Sequence, residues 1–334
     1  MHYLTYFNRT DAEVNNYWVP CRILFIIELV LVLFSHVCYP FIVYLTVKTT
    51  RHQKNHRNIW TLCTFQYVVQ TFVRAVQILL MLYGVDVQGS HPSIAFSCSS
   101  YVKALCLSLV LLGTPAVVFE RFLATYFLED YDRNPRLYFG YIIVTCQLLF
   151  AALASYTFHT ANSTIPHVVV VIVVNGCSAI ANTVIRHVNL RHYKRSMKRK
   201  HIRSYTLGER YQIAENIHIC EFVFKCILWI GFLNIISTLA LIVDNIDVAI
   251  IYQNVAVILF NYCLLTYGFL IAFVMYWYND RWQIELKRIL KSFHMRRNSE
   301  PAPVSVKSTL GVETNINKEL QGPQYFLMLR KEWS

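Results

Sequence analysis

Long apolar stretches separated by short polar segments are the dominant pattern of this sequence. Seven stretches are long enough to cross a bilayer, because ~30 Å of hydrocarbon at 1.5 Å per residue needs about 20 residues of helix. Even the valine-rich fifth stretch is expected to be helical, since a backbone in hydrocarbon must satisfy its own hydrogen bonds. The pattern predicts an all-α membrane protein, a seven-transmembrane helix bundle. The predicted spans are residues 21–47, 59–84, 95–119, 137–159, 168–190, 217–243 and 248–276.

Composition supports this fold class and argues against a nucleic-acid partner. Of the 334 residues, 55% are hydrophobic and 15% are charged, whereas soluble domains carry about 25% charged residues. The formal net charge of +12 would suggest a nucleic-acid partner in a soluble protein. Here the basic residues are concentrated in loops beside the apolar stretches, so no nucleic acid is expected and membrane lipid is the expected neighbour.

The distribution of Lys and Arg predicts the orientation. The four segments on one side contain 21 of these residues, whereas the three loops on the other side contain none and the first twenty residues contain only Arg9. Because basic loops stay in the cytosol, the N-terminus is expected outside and the C-terminus in the cytosol. The basic segments are residues 48–58, 120–136, 191–210 and 281–297.

Two glycosylation sequons agree with this orientation. Asn8 and Asn162 begin Asn-x-Ser/Thr triplets and both fall on the expected outer side, where they are candidate glycosylation sites.

Residues 1–20 lack the apolar core of a signal peptide, so the first span is expected to act as its own insertion signal. The expected parts are an extracellular tail (1–20), the bundle (21–278), an amphipathic juxtamembrane helix (279–297) and a disordered cytosolic tail (298–334).

Three ionisable residues lie inside the predicted spans in their outer half. At 1.5 Å per residue, Glu28 lies about 10 Å deep, Lys103 about 12 Å and Arg74 about 15 Å. Such residues are costly in a membrane and are candidates for function. One interpretation is that Arg74 and Lys103 bind an acidic or polar ligand. The alternative is that Glu28 neutralises one of them as a packing ion pair. His36, His159 and Asn175 are further polar residues that could line such a cavity.

A second candidate site lies where the third span meets the cytosol. Glu120 and Arg121 form an acid-arginine pair that could be restrained at rest and released when the bundle opens. A snorkelling arginine at the interface is the simpler interpretation. Glu221, near the cytosolic end of span six, could restrain Arg121, or it could instead pair with Lys225 one helical turn away.

The end of the third span and the loop after it contain a distinctive run of residues. It comprises Glu120, Arg121, Ala124, Thr125, Tyr126, Phe127, Asp130, Tyr131 and Arg136. This run resembles the Sre (class epsilon) family of nematode serpentine chemoreceptors. The resemblance implies a G-protein-coupled receptor of chemosensory neurons that lies in the plasma membrane, in sensory cilia. It also implies that the bundle binds a small odorant in its outer half and activates a heterotrimeric G protein.

Two other function classes remain as alternatives. A ligand-gated ion channel subunit of the seven-span odorant-receptor type would have the reverse orientation, which the charge bias disfavours. A membrane enzyme would need convergent His, Asp or Glu residues at one depth, and the nearest approach is His52 with His56 in a basic loop. No enzyme activity, cofactor or metal site is expected.

Overall fold

Seven long helices form the body of the molecule. The computed structural model describes residues 6–49, 54–85, 87–88, 91–127, 137–161, 163–198, 207–243, 246 and 248–294. The elements are α1 (Arg9–Val14), α2 (Trp18–Thr49), α3 (Lys54–Tyr83), β1 (Val87–Gln88), β2 (His91–Pro92), α4 (Ile94–Tyr126), α5 (Leu137–Thr160), α6 (Ile165–Lys198), α7 (Leu207–Ile242), α8 (Ile250–Tyr278) and α9 (Asp280–His294).

The seven expected spans are confirmed as α2 to α8, each long and apolar enough to cross a membrane. Their ends differ from the apolar boundaries mainly on the side of the basic segments. There α6 runs to Lys198 and α7 begins at Leu207, about ten residues beyond the apolar stretch in each case. These extensions are rich in Lys, Arg, Gln and Glu, which favour helix without adding hydrophobicity. Hydropathy therefore underestimates the length of a helix that leaves the membrane.

The fourth helix is the centre of the packing. It contacts α3 and α5 on one side and α6 and α7 on the other, and α8 packs against α7 and α2. The short strands β1 and β2 pair antiparallel, with Val87 opposite Pro92, in the connection between α3 and α4. Because α4 packs extensively on four helices, a change in its position affects both sides of the bundle.

The N-terminal segment packs onto the bundle instead of forming a separate tail. Phe7 is buried against Trp18 and Phe25. The backbone N–H of Asn8 donates to Oδ1 of Asn254 at 2.8 Å, and Nδ2 of Asn254 donates back to the Asn8 carbonyl at 3.1 Å. Residues 6–17 therefore cover one end of the bundle, which we call the N-terminal end.

A tyrosine completes this attachment. The Tyr17 hydroxyl bonds to the Asp11 carboxylate, and Nδ2 of Asn254 donates to the Tyr17 oxygen at 2.9 Å. Partial burial raises the pKa of the Tyr17 hydroxyl, and its hydrogen bond to Asp11 raises it further. Tyr17 therefore stays protonated at neutral pH and can act as the donor to Asp11.

The expected amphipathic helix is present as α9, at the end of the bundle opposite the N-terminal end; we call this the basic end. Trp282 is buried, and Lys48 of α2 lies 2.5 Å from the Glu285 carboxylate. The expected disordered tail lies outside the described residues.

One glycine allows a close approach between two spans. A Cβ atom on Gly268 of α8 would lie 2.5 to 2.7 Å from three atoms of the Tyr39 phenol ring. Tyr39 is itself fixed, because its hydroxyl donates to the Leu265 carbonyl at 2.7 Å. The contact between α2 and α8 therefore needs glycine at this position.

We expect Gly268→Ala to lower the apparent Tm of the purified protein in detergent, since overpacking a buried contact costs about 1–3 kcal/mol. The matched control is Gly231→Ala in α7, where an added Cβ meets nothing within 4 Å. That change should leave the Tm unchanged or raise it, because alanine favours helix over glycine by about 1 kcal/mol. Thermal unfolding followed with a thiol-reactive dye measures both. Equal Tm values for the two variants would contradict the close approach.

Candidate functional site

A buried arginine lies at the basic end of α4. The Arg121 side chain is fully buried. Its Nε donates to Oε2 of Glu120 at 2.6 Å and its Nη2 to Oε1 at 2.5 Å. Its Nη1 donates to Oδ1 of Asn216 on α7 at 2.9 Å. Glu120 thus neutralises the arginine within one helix, and the bond to Asn216 joins α4 to α7.

A third helix reaches the same cluster. His56 of α3 is buried, and its Nδ1 lies 3.4 Å from Oε2 of Glu120. Trp60, one turn further along α3, packs against His56 and against Phe222 of α7. Helices α3, α4 and α7 therefore converge on the Glu120–Arg121 pair. His52, named with His56 in the sequence, lies outside the described residues.

Glu221 does not take the place that the sequence suggested. Its side chain is 52% exposed, and its carboxylate lies 3.4 Å from Nη2 of Arg186 on α6. Lys225, the other expected partner, lies over the ring of Tyr278. The α7 residue that binds Arg121 is Asn216, almost one and a half turns before Glu221. The expectation that Glu221 restrains Arg121 is therefore corrected: in this conformation the α7 restraint comes from a neutral amide.

The charged residues in the other half of the bundle form a buried network. Nε and Nη2 of Arg74 donate to the two carboxylate oxygens of Glu28 at 2.6 and 2.8 Å. Nζ of Lys103 donates to Oδ1 of Asn261. All of these side chains are buried. The two-point contact matches the ion-pair alternative for Glu28 and Arg74, and ligand binding by Arg74 or Lys103 stays a prediction.

A large apolar cavity lies elsewhere, between α4, α5, α6, α7 and α8. Its volume is about 580 Å³, which falls within the usual range for small-molecule sites, about 300–1,000 Å³. Glu28, Arg74 and Lys103 do not line it, whereas Asn175 does. His36 instead bonds to the Val32 carbonyl and His159 to Ser100. The position of this cavity is not predictable from the sequence, because its walls are mostly Leu, Val, Phe and Ala.

The first sequon is compatible with a glycan. Oδ1 of Asn8 accepts the backbone N–H of Asp11 at 3.1 Å and thereby caps α1. Glycans attach through the nitrogen of an asparagine side chain, so the capping oxygen is not the modified atom. Asn162 lies outside the described residues. Within the described ranges, no group of three His, Cys, Asp or Glu side chains could hold a metal ion.

Comparison with known proteins identifies the family. The family model described as Sre G protein-coupled chemoreceptor matches residues 84–334. The chain belongs to the Sre family. Similar relatives of this Sre protein come from Caenorhabditis elegans. Serpentine receptor class epsilon-13 is 26% identical over 350 residues, which cover 99% of this chain and 96% of the relative. Serpentine receptor class epsilon-8 is 24% identical, over 99% of this chain and 97% of the relative.

The comparison confirms the resemblance carried by the Glu120–Arg121 run. The chain is a multi-pass membrane protein of a G-protein-coupled chemoreceptor family, and its Sre relatives are receptors.

The ion pair between Glu28 and Arg74 predicts that either single variant is less stable than the double variant. Glu28→Gln or Arg74→Met alone should destabilise the protein by about 3–5 kcal/mol, because each leaves a buried group without its partner. The combined variant should recover most of that loss, since neither charge remains. The apparent Tm and the surface expression of the four proteins measure this. A combined variant no more stable than the singles would contradict the pairing.

Proposed function

We propose that this Sre receptor lies in the plasma membrane with its N-terminal end outside and its basic end in the cytosol, with sensory cilia as the expected site. The uneven distribution of Lys and Arg supports this orientation. The Asn8 sequon lies at the N-terminal end, which agrees with an extracellular position.

In this proposal the receptor detects a small chemical ligand in the cavity lined by α4, α5, α6, α7 and α8 and signals through a heterotrimeric G protein. The observation that carries the proposal is the Arg121–Asn216 hydrogen bond, because it joins the two helices that also line the cavity. A ligand between α4 and α7 acts on the same pair of helices that the bond holds together at the basic end.

The helices supply the mechanical connection. Leu112 in the cavity wall is nine residues from Arg121 along α4, or about 13 Å. Asn234 in the opposite wall is eighteen residues from Asn216 along α7, or about 27 Å. A small rotation of α7 about its cavity contacts is therefore amplified at Asn216. A ligand that binds better when the helices are apart shifts the population toward the separated state.

Separation would expose Arg121 to a cytosolic partner. The guanidinium carries five N–H donors, and in the described conformation Glu120 and Asn216 occupy three of its nitrogens. Once α7 moves away, the donor that Asn216 leaves free can bind a carbonyl or carboxylate of the G protein. Glu120 stays on α4 and keeps the charge balanced.

We expect Asn216→Ala to raise ligand-independent G-protein dissociation by at least about tenfold, since the lost hydrogen bond to a charged donor is worth about 1.5–3 kcal/mol of restraint. Arg121→Ala should reduce signalling at equal surface expression. The matched control is Glu221→Gln in the same helix, which should leave basal signalling unchanged because its side chain faces Arg186.

These three variants, measured by energy transfer between G-protein subunits in cells, separate the proposal from its alternatives. Equal basal signalling in Asn216→Ala and Glu221→Gln would contradict the restraint. A membrane current without G-protein dissociation would favour the ion channel.

The orientation has its own test. An epitope at the N-terminus should be stained on intact cells, and one at the C-terminus only after permeabilisation. Glycosidase should lower the apparent mass of the wild type. Thr10→Ala should abolish glycosylation at Asn8 while leaving the Asn8 cap and the bonds to Asn254 intact. Staining of the C-terminal epitope on intact cells would overturn the proposed orientation.

A further inference from the structure

The cavity has a buried back and an exposed front. Its back wall includes Ala104 of α4 and Phe260 of α8, which are 4% and 2% exposed. Its front includes Phe150 and Leu153 of α5 and Val170 of α6, which are 61%, 57% and 60% exposed. A cavity whose buried wall belongs to inner helices and whose exposed wall belongs to two outer helices opens sideways between those outer helices.

The packing of the helices explains the opening. Helix α5 packs on α3 and α4, whereas α6 packs on α4 and α7. The two helices are therefore held by the bundle behind them, which leaves a gap in front of α4. The exposed rim is apolar and lies within the hydrocarbon, because Val170 is about 7 Å from the start of α6 and Phe150 about 15 Å from the end of α5. A charged molecule would have to leave water and cross lipid to reach such a rim.

A histidine in the cavity wall has a ring nitrogen without a hydrogen-bond partner among the described residues. Nδ1 of His167 is buried and finds no hydrogen-bond partner among the described residues. Nε2 of His167 lies 3.1 Å from the Thr157 hydroxyl. The Thr157 hydroxyl has a single hydrogen. Its oxygen lies 3.0 Å from the Leu153 carbonyl one turn earlier, which is the usual acceptor of a helical threonine, so the hydrogen is donated to Leu153. His167 then donates from Nε2 to the Thr157 oxygen, and its Nδ1 is a bare acceptor.

We propose that the cavity binds an uncharged lipophilic molecule with one hydroxyl or N–H donor, which enters from the bilayer between α5 and α6 and donates its hydrogen bond to Nδ1 of His167. This inference specifies the ligand of the receptor function proposed above and rests on it. Binding is measured without a G protein, so a failure of binding and a failure of signalling are distinguishable.

The first experiment tests the chemistry of the ligand. The receptor in lipid nanodiscs is photolabelled with 4-[3-(trifluoromethyl)diazirin-3-yl]benzyl alcohol, with the corresponding benzoate and with the methyl ether of the alcohol. We expect saturable labelling by the alcohol within residues 150–175, competed by unlabelled 4-(trifluoromethyl)benzyl alcohol, and at least tenfold weaker labelling by the benzoate. Equal apparent affinity of the benzoate and the alcohol would overturn the proposal.

The second experiment tests the hydrogen bond. In His167→Phe the apparent affinity for the alcohol should fall about fivefold, the factor typical of one lost hydrogen bond, while that for the methyl ether should not change. His167→Gln keeps an acceptor and should bind the alcohol within about twofold of the wild type. A parallel loss of alcohol and ether binding in His167→Phe would indicate a packing role and contradict the assigned contact.

The third experiment tests the access route with two neighbouring valines. Val170 lies on the rim, whereas Val169 is 51% exposed and does not line the cavity. Val170→Trp should slow the labelling rate of the alcohol at least fivefold, and Val169→Trp should not. Equal rates in the two variants would contradict lateral access and indicate that the probe labels the lipid-facing surface alone.

A lipid of the membrane has the same chemistry as an external ligand of this class. Solvent extraction of receptor purified without probe, followed by mass spectrometry, distinguishes the two sources. A stoichiometric uncharged lipid with a hydroxyl supports a resident membrane ligand, and absence of such a lipid together with alcohol labelling supports an external one. A stoichiometric phospholipid displaced by the alcohol would overturn the uncharged class.

Discussion

A guanidinium is always charged, so its burial inside a helix bundle requires an acid and further acceptors around it. The basic end of this receptor is built on that constraint. Glu120 satisfies the charge of Arg121 from the next position of the same helix, so the ion pair moves with α4 as one unit. Separation of α4 from α7 therefore breaks a hydrogen bond to a neutral amide and leaves the ion pair intact. Such a bond is worth about 1.5–3 kcal/mol, which a ligand can supply.

The charges in the other half of the bundle have the opposite arrangement. Glu28 and Arg74 belong to different helices, α2 and α3, so moving these helices apart would separate two buried charges. That separation costs about 3–5 kcal/mol or more. The two ion pairs are similar in chemistry and differ only in whether one helix or two carry them. In the proposed mechanism, this difference would keep the α2–α3 contact fixed and let the α4–α7 contact open.

The sequence predicts the features that are visible as long apolar stretches or as charged residues inside them. Seven apolar stretches give seven helices, and depth arithmetic places Glu28 within reach of both Lys103 and Arg74 without deciding between them. Asn216 gives no such signal, because a neutral amide one residue before a predicted span is unremarkable in sequence. The sequence places His56 in a basic loop, since the apolar stretch starts at Ile59, yet α3 begins at Lys54 and buries His56. The cavity depends on the spacing between α5 and α6, which no property of either helix alone determines.

The position of the N-terminal segment supports the proposed sideways access of an apolar ligand. Residues 6–17 are bonded to α8 through Asn254 and to α3 through the Met81 carbonyl, which accepts a hydrogen bond from Arg9 at 3.2 Å. They cover the end of the bundle above Glu28 and Arg74. Buried charged groups there offer an apolar ligand no favourable contact. The half formed by α4 to α7 instead presents a rim of Phe, Leu and Val at membrane depth. An apolar molecule dissolves in the bilayer, so its concentration beside that rim exceeds its concentration in water, and under the proposed access route partitioning into the membrane would be the first step of detection.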